Sequence, residues 1–64
     1  MSRLAQIRKD RGLTQDGLAA VSGVARITIA RAESGRVMPS LQTLTRLCDA
    51  LGVKLDDLID RKAG

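Results

Sequence analysis

The chain has no Phe, Tyr or Trp, no His, and only one Cys and one Pro in its 64 residues. Each shortage removes a class of protein. Without aromatic side chains the core must come from Leu, Ile, Val, Ala and Met, which limits the area buried per residue and implies a modest margin of stability. A lone Cys48 forbids an intramolecular disulfide, and with no histidine the usual structural zinc patterns are absent. The expectation is therefore a reducing, cytoplasmic compartment and no metal. The same shortages leave no pairing of nucleophile with base, and the carboxylates do not converge, so an enzyme is not expected and no cofactor or small-molecule effector is implied. No apolar run approaches the ~20 residues that span a bilayer, and the N-terminus lacks the apolar core of a signal peptide. No membrane association is expected.

What is present is cationic and unevenly placed. The net charge is +4, and residues 1–36 hold seven Lys or Arg against three Asp or Glu, whereas residues 37–64 hold four of each. An excess confined to one half suggests a localised footprint for a polyanion rather than a uniformly solubilised surface. The length predicts a single domain over residues 1–64.

Glycines punctuate the chain into five short helical patterns. The first runs from about Arg3 to Arg11, with Leu4, Ile7 and the stem of Arg11 on one face, and Gly12 ends it. Lys9 and Arg11 fall in its last turn, where cations suit the helix dipole. The second starts at Thr14 as N-cap, carries Asp16 in its first turn and Leu18 and Ala19 inward, and stops at Gly23. Gly17 interrupts it at a cost of ~1 kcal/mol relative to Ala. The third spans about Arg26 to Ser34 before Gly35. The fourth follows Pro39 with Ser40 as N-cap and a stripe of Leu41, Leu44, Leu47, Cys48 and Leu51, up to Gly52. A short fifth carries Leu55, Leu58 and Ile59, and Arg61 to Gly64 reads as a frayed tail. Cys48, on the inward stripe, is expected to be a small buried hydrophobe. Between the third and fourth helices, Val37 and Met38 are apolar residues in a turn. One of them either tucks over the core edge or serves a contact with DNA or a second subunit.

The second and third helices are joined by only Gly23 to Ala25, which forces a steep crossing and holds the third helix proud of the body, the geometry of a helix-turn-helix unit over about residues 14–34. On a wheel of ~100° per residue, Ala25, Ile29 and Ala32 fall together and are assigned to the core. Ile27, Ala30, Arg31 and Ser34 fall opposite, with Arg26 beside them. That outward face is narrow enough for a major groove. Each arginine offers a bidentate reader of guanine, and Ile27 an apolar group for a thymine methyl.

The ordered set Leu13-Thr14-Gln15-Asp16-Gly17-Leu18-Ala19, Ser22-Gly23-Val24, Thr28-Ile29, Glu33-Ser34-Gly35, Pro39-Ser40-Leu41 and Ala50-Leu51-Gly52-Val53 resembles the phage lambda repressor and Cro-like helix-turn-helix family. The match covers about residues 3–60. The resemblance implies an all-α, compact five-helix bundle whose third helix enters the major groove, usually as a homodimer on a pseudo-palindromic double-stranded DNA operator, and hence a transcriptional regulator, most simply a repressor. It places base readers at Arg26, Ile27 and Arg31, with Thr28 able to reach a base edge or a phosphate. It places backbone contacts at Thr14, Gln15, Ser34 and Arg36. Arg8 and Glu33 match a pair that in some members ties the first helix to the third.

Three residues depart from the family pattern. Ala25 stands where a Ser or Thr commonly caps the third helix, Gly17 replaces a usual acid, and Ala32 a larger apolar residue. A less tightly held recognition unit is expected, with affinity resting on dimerisation, for which Leu55 and Ile59 are the candidate surface. The competing reading is a protein-interaction module, such as the antitoxin of a toxin-antitoxin pair. The control protein of a restriction-modification system is a subtype of the DNA-binding reading.

Overall fold

Five α-helices form in the computed structural model, which describes residues 1–59: α1 Ser2–Asp10, α2 Gln15–Ser22, α3 Arg26–Ser34, α4 Leu41–Leu51 and α5 Leu55–Leu58. No strand occurs among the described residues, and no helix there is long and apolar enough to cross a membrane. The tail expected from Arg61 to Gly64 lies outside them. Each helix sends one large, fully buried side chain to the centre: Leu4, Leu18, Ile29, Leu47 and Leu58 in turn. Burying each contributes roughly 1.5–3 kcal/mol, and because helices of four to eleven residues are marginal alone, that shared centre is what makes them helical. Val24, Ala32, Cys48 and Leu51 complete the cluster. The Cys48 thiol is pushed up in pKa, chiefly by burial and further by the charges of Asp49 and Asp57, so it packs as a small hydrophobe.

The caps follow the sequence. Thr14 Oγ1 accepts from the Gly17 amide at 2.9 Å, and Ser40 Oγ accepts from the Thr43 amide at 3.2 Å. Gly17, a defect by propensity, has a local reason: a Cβ there would stand 3.3 Å from Thr14 Oγ1 and 3.4 Å from Leu13 Cδ2, crowding the cap. The α2–α3 turn closes at Gly23, whose φ of 73° belongs to the left-handed region where Gly carries no Cβ penalty. Its amide donates to Ala19 O, and the Val24 amide donates to Ser22 Oγ.

Long arginine side chains staple helix ends far apart in sequence. Arg11 Nε donates to Leu51 O at 2.9 Å, and Arg3 Nε to Asp57 O at 2.8 Å. Arg11, expected to serve the end of its own helix with its stem inward, instead satisfies a terminal carbonyl of α4. These bonds and the packing of α3 against α1 and α2, and of α4 against α2 and α5, leave one face of α3 outward.

Two expectations about burial fail, each at an element's edge, and the alternative left open for the α3–α4 loop is decided. Ala25 is exposed rather than in the core, because it precedes α3 as N-cap with ψ 138° and the helical wheel does not extend to it. Leu41 is the first residue of α4 and projects beyond the core, 66% exposed. Neither Val37 nor Met38 tucks inward; Pro39 is the residue of that loop that is buried. The helix boundaries shift by about one residue, and Ile59 follows α5 with an extended backbone.

α3 starts with no side-chain cap, since Ala25 has none to offer. Ala25→Ser should therefore stabilise the fold by about 1 kcal/mol, read as a rise of roughly 4–8 °C in Tm on thermal denaturation. An unchanged Tm would mean that the start of α3 gains nothing from a hydroxyl acceptor.

Candidate nucleic-acid interface

α3 is fixed from behind by its apolar side and from one flank by charge. Ile29 and Ala32 are fully buried. Glu33, one residue on, turns toward α1 and meets Arg8 in a two-pronged pair, Nε to Oε2 at 2.7 Å and Nη2 to Oε1 at 3.1 Å, with only 10% and 8% of the two side chains exposed. Arg8 Nη1 also donates to Leu13 O at 2.8 Å. Every buried side-chain nitrogen and oxygen among the described residues is satisfied, which a charge so placed requires.

The pair extends outward. Gln15 Nε2 donates to Glu33 Oε1 at 3.1 Å, so the carboxylate sets the orientation of the amide and turns its oxygen toward α3. Arg26 Nη1 donates to that oxygen at 3.4 Å, and Arg26 Nε stands 3.4 Å from Asp16 Oδ1. One chain of contacts thus runs from the interior of α1 to the first residue of α3. Burial alone would raise the Glu33 carboxyl, but hydrogen bonds from Arg8 and Gln15 and the charges of Arg8 and Lys9 outweigh it, holding the group below its ordinary value. The hydrogen bond to Glu33 raises the Arg8 guanidinium in spite of desolvation.

The sequence-selected residues fall into three groups. Arg26, Ile27 and Arg31 are exposed on the outer side of α3, with 51% of Ile27 accessible. Thr14, Ser34 and Arg36 lie at or near the ends of α2 and α3 and are exposed; Ser34 Oγ donates to Arg31 O. Gln15 is half-buried at the start of α2, joined to Glu33 and Arg26. Thr28 separates from the others. It is half-buried and lines a cleft between the α2–α3 turn and the first turns of α4, together with Gln42, Thr43 and Arg46. Reading the sequence by halves missed Arg46, because the second half is neutral. Of the arginines in the first half, Arg3, Arg8 and Arg11 hold the fold together, whereas Arg31 and Arg36, like Arg46 in the second half, have no side-chain partner among the described residues.

A tight turn between two helices, with the second held by its inner face and bare on its outer one, defines a helix-turn-helix protein. The chain belongs to the helix-turn-helix family, whose model matches residues 4–58. An HTH-type transcriptional regulator of Sinorhizobium fredii, y4dJ, is 38% identical over 58 residues, 91% of this chain and 75% of that protein. The immunity repressor protein of Bacillus phage phi105 is 39% identical over 57 residues, 89% of this chain and 40% of that repressor. Among solved structures, the restriction-modification controller protein C.AhdI from Aeromonas hydrophila superposes with a TM-score of 0.83 at 33% identity, covering 89% of this chain and 86% of that one. The all-helical fold and the membership in a family of DNA-binding transcription regulators and repressors expected from the sequence are thereby established. The chain spans most of the first relative but less than half of the phage repressor.

Because Glu33 is held below its ordinary value in the folded state, its contribution to stability is fully present above the unfolded carboxyl value of ~4.3 and is lost as pH falls through the lower folded value. Glu33→Gln should cost about 3 kcal/mol at neutral pH. In denaturant titrations, the gap in stability between the two proteins should hold from neutral pH to about 4.3 and narrow as pH falls further, through the depressed Glu33 value. A gap that stays constant through that fall would show that the carboxylate's charge is not what matters.

Proposed function

We propose that the chain binds double-stranded DNA sequence-specifically as a homodimer on a pseudo-palindromic operator and represses transcription there. The observation that carries this reading is the outer face of α3: two arginines flank a half-exposed isoleucine, on a helix that is locked from behind and carries no acid on that face. Arg26, Ile27 and Arg31 read bases, since a guanidinium fits the two acceptors of guanine and a branched apolar group fits a thymine methyl. Thr14, Ser34 and Arg36 hold the phosphate backbone. Gln15 takes a backbone contact through its remaining N–H while its oxygen orients Arg26. A control protein of a restriction-modification system would use the same surface, and the likeness to C.AhdI suits that subtype as well.

Dimerisation is supported by size, because one such unit offers few contacts and symmetric pairing multiplies them. Leu55 and Ile59, the surface suggested by the sequence, are both half-buried, and Leu55 packs on the core. The exposed Met38 and Leu41 offer more apolar area to a second subunit.

Selection from random duplexes followed by footprinting tests the reading in one step, reporting site, symmetry and spacing. On the selected site, Arg31→Ala should lose about 1–3 kcal/mol of discrimination against single-base variants. Gln15→Ala should weaken binding to every duplex and also blur the step read by Arg26. Equal losses on selected and random DNA for both variants would reject the division of roles. Sedimentation should show a dimer, at least on DNA; a monomer at high concentration with and without the duplex would reject the homodimer.

A further inference from the structure

A cleft of about 230 Å³ lies between the α2–α3 turn and the first turns of α4. Thr28, Gln42, Thr43 and Arg46 supply its side-chain chemistry: two hydroxyls, one amide and one guanidinium, with no carboxylate. Ser40 Oγ donates to Thr43 Oγ1 at 3.1 Å, which leaves the Thr43 proton free to donate elsewhere. Arg46 overhangs the turn, with Nη1 3.9 Å from where a Cβ on Gly23 would sit, and it has no partner among the described residues. A second cleft has the opposite character: Asp56 and Asp57 line it, and its Arg3 already donates to Asp57 O.

The position of this donor set follows from helix geometry. Arg26 and Thr28 are two residues apart on α3, so at roughly 100° per residue their side chains diverge by about 200°, with Ile27 between them at the front. Arg26 leans toward Gln15 and Asp16 on the α2 side. Thr28 leans toward Arg46 on the α4 side. A helix inside a major groove ~12 Å wide has a phosphate strand on each flank. With Thr14 and Gln15 on one strand, the other runs past the cleft.

Resting on the DNA-binding reading above, we propose that this cleft holds a backbone phosphodiester of the strand opposite the one that Thr14 and Gln15 face. Arg46 is its cation, and Thr28 and Thr43 are hydroxyl donors. Thr28 is then a backbone residue and not a base reader. The second half of the chain, neutral in sum, contributes a positive contact because the fold brings one of its arginines beside the recognition helix.

Binding to the selected duplex and to a random one, measured over a range of salt concentrations, tests this. Arg46→Ala should weaken both about five- to tenfold and lower the slope of log affinity against log salt by about 0.9, the signature of one phosphate. Base preference should be unchanged, and Tm should not move, since Arg46 is exposed and bonds to nothing in the fold. Arg46→Lys should restore the slope. Replacing single phosphates with neutral methylphosphonates should reveal one position per half-site that weakens the wild type and leaves Arg46→Ala unaffected. An Arg46→Ala protein with wild-type affinity and slope, on duplexes where Arg31→Ala loses base preference, overturns the cleft and leaves the DNA-binding reading intact. A wild-type protein with no duplex affinity overturns both.

Discussion

The ion pair of Arg8 with Glu33 is the constraint on which the working part of this molecule depends. It joins α1 to α3 out of water, where two charges taken singly cost several kcal/mol each and are tolerated only with all their hydrogen bonds made. Those bonds are made: Arg8 spends three on Glu33 and Leu13 O, and Glu33 receives a further one from Gln15. A pair this directional fixes the rotation and depth of α3 more sharply than its apolar contacts do. A helix held only by Ile29 and Ala32 has latitude to roll; a forked guanidinium has little. The orientation reaches the surface through the Gln15 amide, which takes its direction from Glu33 and passes it to Arg26.

Much of the architecture was legible in the sequence because local rules and the global fold agree. Glycines in the left-handed region end α2, α3 and α4; Thr14 and Ser40 cap α2 and α4 as their side chains suggest; and the fully buried residues are those that the helical period selects. The misses share a cause. Leu41 and Ala25 stand at ends of elements, where a 3.6-residue period no longer says which way a side chain points. The staples made by Arg3 and Arg11 were invisible for another reason. They join residues 54 and 40 positions apart, and nothing in a local pattern says that a cation near its own helix end will satisfy another's carbonyl.

The candidate interface was legible in outline. Periodicity turned Arg26, Ile27 and Arg31 outward, and they are outward. Charge counting along the chain was a poorer guide. It credited the first half with a cationic surface, yet three of the arginines there are committed to holding the fold, and it passed over Arg46 because its neighbours in sequence are neutralised by acids. Charge acts through space, so its bearing on a ligand depends on which groups the fold leaves unpaired. The lack of aromatic residues has a similar structural answer: an aliphatic core with one large, fully buried side chain from each helix is supplemented by long polar side chains closing the ends.

The two sides of α3 are independent in one practical respect. Ile29 and Ala32 bind it to the protein, while Ile27 is half exposed and Arg31 has no side-chain partner among the described residues. If these outer residues read bases as proposed, exchanging them would redirect the molecule to a different address while leaving the buried side of α3 unaltered. Descendants of such a gene can drift to new sites by one or two codon changes, each intermediate still folded, and a duplicated copy can part from its parent's targets before anything in its interior has altered.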